Sequence, residues 1–147
     1  MNWRISLLIL SIGLSLFSCD RTSSPEATPE KEEYHSVDCL IEAEDLLLHS
    51  GNYKLIDLRK PDEFKAGHIP KALNVWRNQI TDTSFSYGGM MPSKTHLATL
   101  LGSLGISPQD TIVIYDDKAE CDAARLWWLL KFYGHKHPKL LNGGLTA

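Results

Sequence analysis

Residues 36–147 carry short apolar runs that alternate with longer stretches of helical spacing. Runs rich in β-branched and other apolar residues predict strands at 36–41, 54–58, 72–75, 111–115 and 139–141. Leucine spacing, proline and capping residues predict helices at 42–49, 61–65 and 122–133, and a further helix that Ser93 caps and that ends near Gly102 and Gly105. A long irregular loop of the kind that is often functional is expected at 80–92. Strands that alternate with helices predict an α/β fold, in which helices cover both faces of a central parallel sheet.

The segment 111–133 carries the clearest local signal, because it combines a buried strand, a short polar loop and a long apolar helix. Backbone N–H groups of such a loop converge with the positive end of the helix dipole, which favours an anion. Ligands of parallel sheets bind at the carboxyl ends of the strands, so we expect a site at this loop. The loop begins with Asp116 and Asp117 and ends with Cys121.

Composition narrows the classes of function. The 147 residues suffice for one ordinary domain, and the net charge of −3 is spread along the chain without a basic stripe, so nucleic acid is not an expected partner. Three cysteines are too few for a disulfide scaffold and match no zinc spacing, although a Cys39–Cys121 disulfide stays open. His135 and His137 are neighbours without further candidate ligands. We therefore expect neither a metal nor another cofactor.

Residues 1–35 are expected to target and tether the protein. Residues 1–19 carry Arg4, an apolar run too short to span a bilayer, and the ending LFSC. This ending resembles the lipobox of bacterial lipoproteins, in which the cysteine, here Cys19, is lipidated; the alternative is an ordinary signal peptide. Residues 20–33 lack large apolar side chains, so 20–35 are interpreted as a disordered tether. The resemblance implies a membrane-anchored lipoprotein of the bacterial cell envelope, facing the periplasm or the cell exterior.

Two groups of sequence motifs resemble the rhodanese family of sulfurtransferases. Residues 55–75, LIDLRKPDEFKAGHIPKALNV, are similar to a signature of that family. The motifs LGISPQDTIVIYD, AARLWWLLKFYGH and LLNGG are similar to the N-terminal module of tandem thiosulfate and 3-mercaptopyruvate sulfurtransferases. The resemblance covers residues 36–147 and implies an α/β rhodanese-like domain whose partners are a small sulfur donor and a thiophilic acceptor.

The resemblance also implies a reaction and a place for its nucleophile. Catalytic modules of the family carry a cysteine at the first loop position after the fourth strand, and its thiolate takes sulfur from the donor as a persulfide. Here that position holds Asp116. In the tandem enzymes only the C-terminal module carries the cysteine. We therefore expect this chain to be the non-catalytic N-terminal half, with a second rhodanese module after Ala147.

Other functions fit parts of the same sequence. Cys121, in the expected first turn of a helix that favours a thiolate, would make the domain a sulfurtransferase in its own right. A rhodanese-like fold without a nucleophile would instead serve as a binding or scaffold lipoprotein. A phosphatase with an aspartate nucleophile is disfavoured, because the haloacid-dehalogenase pattern needs a second aspartate where Lys118 stands.

Charged residues around the second strand have both a structural and a substrate-binding interpretation. Asp57, Arg59 and Glu63 are interpreted as an ion-pair group that ties the strand end to the next turn. Arg59 lies at the carboxyl end of a strand, where it could instead meet an anionic donor. His68 either hydrogen-bonds within its turn or faces the substrate pocket, as in the mercaptopyruvate enzymes.

The helix expected at 122–133 is apolar almost all round, because only Asp122, Arg125 and Lys131 are charged. Such a helix is predicted to be buried on more than one side. We expect a second domain to cover the side that carries Trp127 and Trp128.

Overall fold

Five parallel strands form the central sheet of the computed structural model, which describes residues 38–117 and 121–146. The strands are β1 (Leu40–Ile41), β2 (Tyr53–Asp57), β3 (Leu73–Asn74), β4 (Thr111–Tyr115) and β5 (Pro138–Leu141). Their order across the sheet is β1-β5-β4-β2-β3, and every neighbouring pair is parallel. This arrangement confirms the predicted α/β fold.

Helices connect the strands and cover both faces of the sheet. Within the described residues they are α1 (Ala43–Leu48), α2 (Pro61–Ala66), α3 (Lys94–Ser103) and α4 (Cys121–Phe132). Short 3-10 helices lie at Ser50–Asn52, Arg77–Ile80 and Gly144–Thr146. Ser93 caps α3 as predicted, because its hydroxyl oxygen accepts a hydrogen bond from the His96 N–H at 3.2 Å.

The predicted boundaries are right for β4 and differ elsewhere by a few residues. In their described parts, β1 and β3 are shorter than predicted, because both are edge strands that pair with a neighbour at only two positions. The strand β2 begins and ends one residue earlier than predicted, and so does α4. Such shifts are expected, because apolar periodicity does not locate the last hydrogen bond of an element.

Alternation along the strands divides the core into two layers. On one face of the sheet, Ile112 and Ile114 of β4 pack with α3 and α4. On the other face, Val113 and Tyr115 pack against side chains of α1 and α2. All four of these residues are fully buried, as expected for an inner strand of a sheet that is covered on both faces.

The predicted signal segment and tether, and loop residues 118–120, lie outside the described residues. The chain divides into two units, Met1–Glu33 and Tyr34–Ala147, and both core layers are built from residues of the second unit. Among the helices of the described part, none is long and apolar enough to cross a membrane.

Candidate functional site

Two buried strand ends meet beside the loop that follows β4. Asp57 ends β2, Tyr115 ends β4, and the two residues are partners across the sheet. The Leu58 N–H donates to the Tyr115 carbonyl at 2.9 Å, which continues the pairing beyond the strands. Asp116 comes next in the chain. It therefore lies at the carboxyl edge of the sheet, where ligands of parallel sheets bind.

The carboxylate of Asp116 caps the N-terminus of α4. The residue is only 2% exposed. Its Oδ2 atom accepts hydrogen bonds from the N–H groups of Asp122 and Ala123, each at 2.9 Å. Both donors belong to the first turn of α4, whose N–H groups have no partner within the helix. The side chain thus occupies the position that a bound anion would take at this helix N-terminus.

The turn after β5 holds the backbone of Asp116 in place. The Leu145 N–H donates to the Asp116 carbonyl oxygen at 2.9 Å. Gly144 has a φ angle of +61°, and a Cβ atom at this position would lie 2.4 Å from the same carbonyl oxygen. Only glycine fits such a close approach in this backbone conformation. Gly144, the last residue of the LLNGG motif, therefore helps to position the loop.

Arg59 hydrogen-bonds to Asp57 and to the end of α2. Its Nε atom lies 3.1 Å from each carboxylate oxygen of Asp57, and its Nη2 atom lies 2.7 Å from Oδ2. Nη2 also donates to the Gly67 carbonyl at 2.6 Å. The hydrogen bond to Asp57 raises the pKa of Arg59, and both side chains are buried. The Asp57–Arg59 pair ties the end of β2 to the turn after α2, which agrees with the predicted ion pair of these two residues. Binding of a sulfur donor by Arg59 stays a prediction.

Glu63 does not take part in that ion pair, so this part of the prediction is wrong. Its Oε2 atom accepts a hydrogen bond from the Lys60 N–H at 3.0 Å. Glu63 is the third residue of α2, from which a glutamate side chain reaches back to the residue before the helix. It therefore caps α2 and leaves Asp57 and Arg59 as a pair.

His68 bonds within its own turn. Its Nδ1 atom lies 2.8 Å from the Phe64 carbonyl oxygen, and its ring stacks on the Phe64 ring with centroids 3.7 Å apart. The side chain is otherwise exposed. This geometry agrees with the turn-bonding alternative, while a contact between His68 and a substrate stays a prediction.

Cys121 is exposed at the first residue of α4, beside an ion pair. Arg77, from the short helix after β3, pairs with the Asp122 carboxylate, and its guanidinium lies near the Cys121 thiol. The hydrogen bond to Asp122 is the largest cause of the raised pKa of Arg77. Sequence reasoning missed Arg77, because it lies 45 residues from Asp122 and no local pattern connects them.

Arg125 joins α4 to the long loop predicted before α3. Its Nη2 atom donates to the carbonyl oxygens of Gly89 and Met90, at 2.9 and 3.0 Å. A bridge between Asp82 and Met90 closes the base of that loop. Burial lowers the pKa of Arg125. An arginine in an otherwise apolar part of the helix is the signal that the sequence offers for this contact, and it was not recognised from the sequence.

The cysteines and histidines of the described part form neither a group that could hold a metal ion nor a disulfide. Cys39 and Cys121 are both free, so they do not form the disulfide that the sequence left open. In residues 38–117 and 121–146, no group of three or more His, Cys, Asp or Glu side chains could hold a metal ion.

The parallel sheet and the strand–loop–helix site at Asp116 define the class of this protein. The family model of the rhodanese-like domain matches residues 41–147. The chain therefore belongs to the rhodanese-like domain family, and its relatives are thiosulfate and 3-mercaptopyruvate sulfurtransferases.

Three relatives illustrate the similarity. Thiosulfate sulfurtransferase of Pseudomonas aeruginosa is 37% identical over 116 residues, which are 78% of this chain and 43% of that protein. Rat 3-mercaptopyruvate sulfurtransferase is 40% identical over 84 residues, 56% of this chain and 28% of that protein. The crystal structure of the 3-mercaptopyruvate sulfotransferase SseA from Escherichia coli superposes with a TM-score of 0.67 and 26% identity, over 74% of this chain and 46% of that chain. The chain thus spans less than half the length of each.

Proposed function

We propose that this protein is a rhodanese-like sulfurtransferase module without its own nucleophile, the N-terminal half of a thiosulfate or 3-mercaptopyruvate sulfurtransferase. The observation that carries the proposal is the placement of the Asp116 carboxylate. It follows β4 directly and accepts the Asp122 and Ala123 N–H groups. The family resemblance puts the catalytic cysteine at the same position.

The chemistry of sulfur transfer explains why an aspartate there matters. With thiosulfate as donor, a cysteine thiolate attacks the outer sulfur, a new S–S bond forms, the old S–S bond breaks, and sulfite leaves with the electron pair. Cyanide then attacks the persulfide, forms a C–S bond and releases the thiolate with thiocyanate. A carboxylate cannot form that persulfide. A second rhodanese module, C-terminal to this one, would supply the cysteine, and this module would form the other wall of the substrate pocket.

Thiocyanate formation tests the proposal. Purified residues 34–147 are mixed with thiosulfate or 3-mercaptopyruvate and cyanide, and three proteins are compared: wild type, Cys121→Ser and Asp116→Cys. We expect the first two to stay at the uncatalysed background. Asp116→Cys, which puts sulfur at the start of α4, is expected to give a trace of turnover. Clear wild-type turnover that disappears in Cys121→Ser would overturn the proposal.

One observation favours a second candidate, a single-domain sulfurtransferase that uses Cys121. The thiol is exposed at the start of α4, near the positive charge of Arg77. Against it, the Asp122 and Ala123 N–H groups that would stabilise a developing anion already bind Asp116. Loss of one such preorganised donor costs roughly a hundredfold or more in rate. The Cys121→Ser protein in the same assay decides between the two candidates.

We also propose that Cys19 anchors the protein by lipidation at the bacterial cell envelope. The proposal is supported by the LFSC ending of the apolar run and by the polar residues that follow it. The full chain should fractionate with membranes, whereas Cys19→Ser should be released or remain unprocessed. Cys39→Ser is the matched control and should stay in the membrane fraction. A wild-type protein that is wholly soluble and cleaved at another residue would contradict the anchor.

A further inference from the structure

The end of α4 and the start of β5 carry a local excess of positive charge. Residues 131–139, KFYGHKHPK, contain three lysines, two histidines and no acidic residue. The even charge distribution expected from the whole sequence does not hold for this segment. It lies at the amino ends of the parallel strands, opposite the edge that carries Asp116.

Two lysines of this segment have no charged or hydrogen-bonding partner among the residues that the structure describes. Lys139 is compensated, because its Nζ atom lies 3.5 Å from a carboxylate oxygen of Asp38 and donates to the Asp38 carbonyl at 3.1 Å. Lys131 and Lys136 are exposed and make neither an ion pair nor a side-chain hydrogen bond within the described part of the chain. Both line a cleft of about 270 Å³ together with His137 and Lys139. The cleft thus offers uncompensated positive charge to an anion.

An exposed aromatic pair lies beside Lys131 on α4. Trp128 and Phe132 are 46% and 60% exposed, and their rings stack with centroids 5.4 Å apart. Trp128, Lys131 and Phe132 share one face of α4, because residues three and four apart are neighbours on a helix. By contrast, Trp127 is half-buried and donates from Nε1 to the Pro138 carbonyl at 2.9 Å. Exposure of the pair shows that the isolated domain leaves this side of α4 uncovered.

We propose that this aromatic–basic face, formed by Trp128, Lys131, Phe132, Lys136 and His137, docks on an anionic phospholipid surface. Unpaired lysines beside exposed aromatic rings match the two layers of such a surface, charged phosphates outside and apolar carbon just below. A protein partner, such as the second domain expected from the sequence, would cover the rings equally well, but it would not by itself account for the uncompensated charge of Lys131 beside them and of Lys136 in the adjoining cleft.

The course of the chain supports a membrane as the occupant, and this step rests on the proposed anchor at Cys19. Asp38 lines the same cleft. Eighteen residues, 20–37, separate it from Cys19. They cannot span more than roughly 65 Å even when fully extended. An anchored domain therefore stays close to the membrane, and docking through this face would turn the Asp116 loop away from the lipid.

Vesicle sedimentation tests the docking face without the anchor. Residues 34–147 are mixed with vesicles of phosphatidylcholine alone or of equimolar phosphatidylcholine and phosphatidylglycerol, at low and high salt. Each lysine at an anionic surface contributes about fivefold to binding. Lys131→Gln/Lys136→Gln should therefore weaken binding to the anionic vesicles about 25-fold. The matched control is Lys65→Gln/Lys71→Gln, which should bind like the wild type. Both lysines are exposed, and they lie near β3, at the opposite edge of the sheet from β1 and β5.

Three results together would support the docking face. The domain binds anionic vesicles, high salt weakens this binding, and Lys131→Gln/Lys136→Gln loses it while the control variant does not. Absence of binding, equal loss in both double variants, or self-association of the domain in place of vesicle binding would each overturn it. The anchor is tested separately by membrane fractionation of Cys19→Ser, so either proposal can fail while the other stands.

Discussion

The hydrogen bonds of Asp116 make the most direct prediction about stability. Asp116→Ala removes the acceptor of two N–H groups at the start of α4. The Ala123 N–H is buried and would lose its partner, which costs about 2 kcal/mol. The Asp122 N–H is only partly buried and can bond water, so its loss should cost about 1 kcal/mol or less. The free energy of unfolding should therefore fall by about 2 to 3 kcal/mol.

Asp116→Asn separates hydrogen bonding from charge. An asparagine side chain retains an oxygen that can accept the same N–H groups, and asparagine caps helices about as well as aspartate. It loses only the attraction between a negative charge and the helix N-terminus, which is worth about 1 kcal/mol or less. We therefore expect the asparagine variant to lie much closer to the wild type than the alanine variant.

Urea unfolding of residues 34–147 measures both variants, with the midpoint and the slope fitted together. Asp117→Ala is the matched control, because it removes the adjacent but exposed carboxylate and should change stability by about 0.5 kcal/mol or less. An alanine variant within about 0.5 kcal/mol of the wild type would refute the reasoning. So would an asparagine variant as unstable as the alanine variant, since charge would then be the whole effect.

Three further predictions concern residues around the loop. Arg59→Met should lower the unfolding free energy by about 3 kcal/mol or more, because it leaves the buried Asp57 carboxylate unpaired. Gly144→Ala should lower the free energy of unfolding, measured in urea, by well over 1 kcal/mol, because the added Cβ would collide with the Asp116 carbonyl oxygen. Burial raises the pKa of Tyr115, so the unfolded state loses this proton first and stability should fall as pH rises above about 10.

Two of these predictions have a control variant, and each of the three has an outcome that would contradict it. Gly102→Ala, in the last turn of α3 with no atom near the added Cβ, should stabilise by about 0.5 kcal/mol, so equal effects at both glycines would contradict the collision. Tyr115→Phe should make unfolding less sensitive to alkaline pH, and an unchanged pH profile would contradict the shift. An Arg59→Met protein as stable as the wild type would contradict the assigned role of the ion pair.

The order of residues by itself determined the fold class and the central strand–loop–helix segment. A β-branched run followed by a polar loop and a long apolar helix predicted β4 correctly and α4 to within one residue. Ser93 was also recognised as a cap. These features depend on local side-chain preferences and on periodicity, which are properties of neighbouring residues.

The tertiary structure alone decided which side chains meet. Arg77 reaches Asp122 across 45 residues, and the close approach of Gly144 to Asp116 depends on how the turn after β5 packs against the loop. Glu63 was expected in the ion pair and instead caps α2. Local patterns indicate which residues can form ion pairs and hydrogen bonds, but the order and register of the strands decide which atoms come within bonding distance.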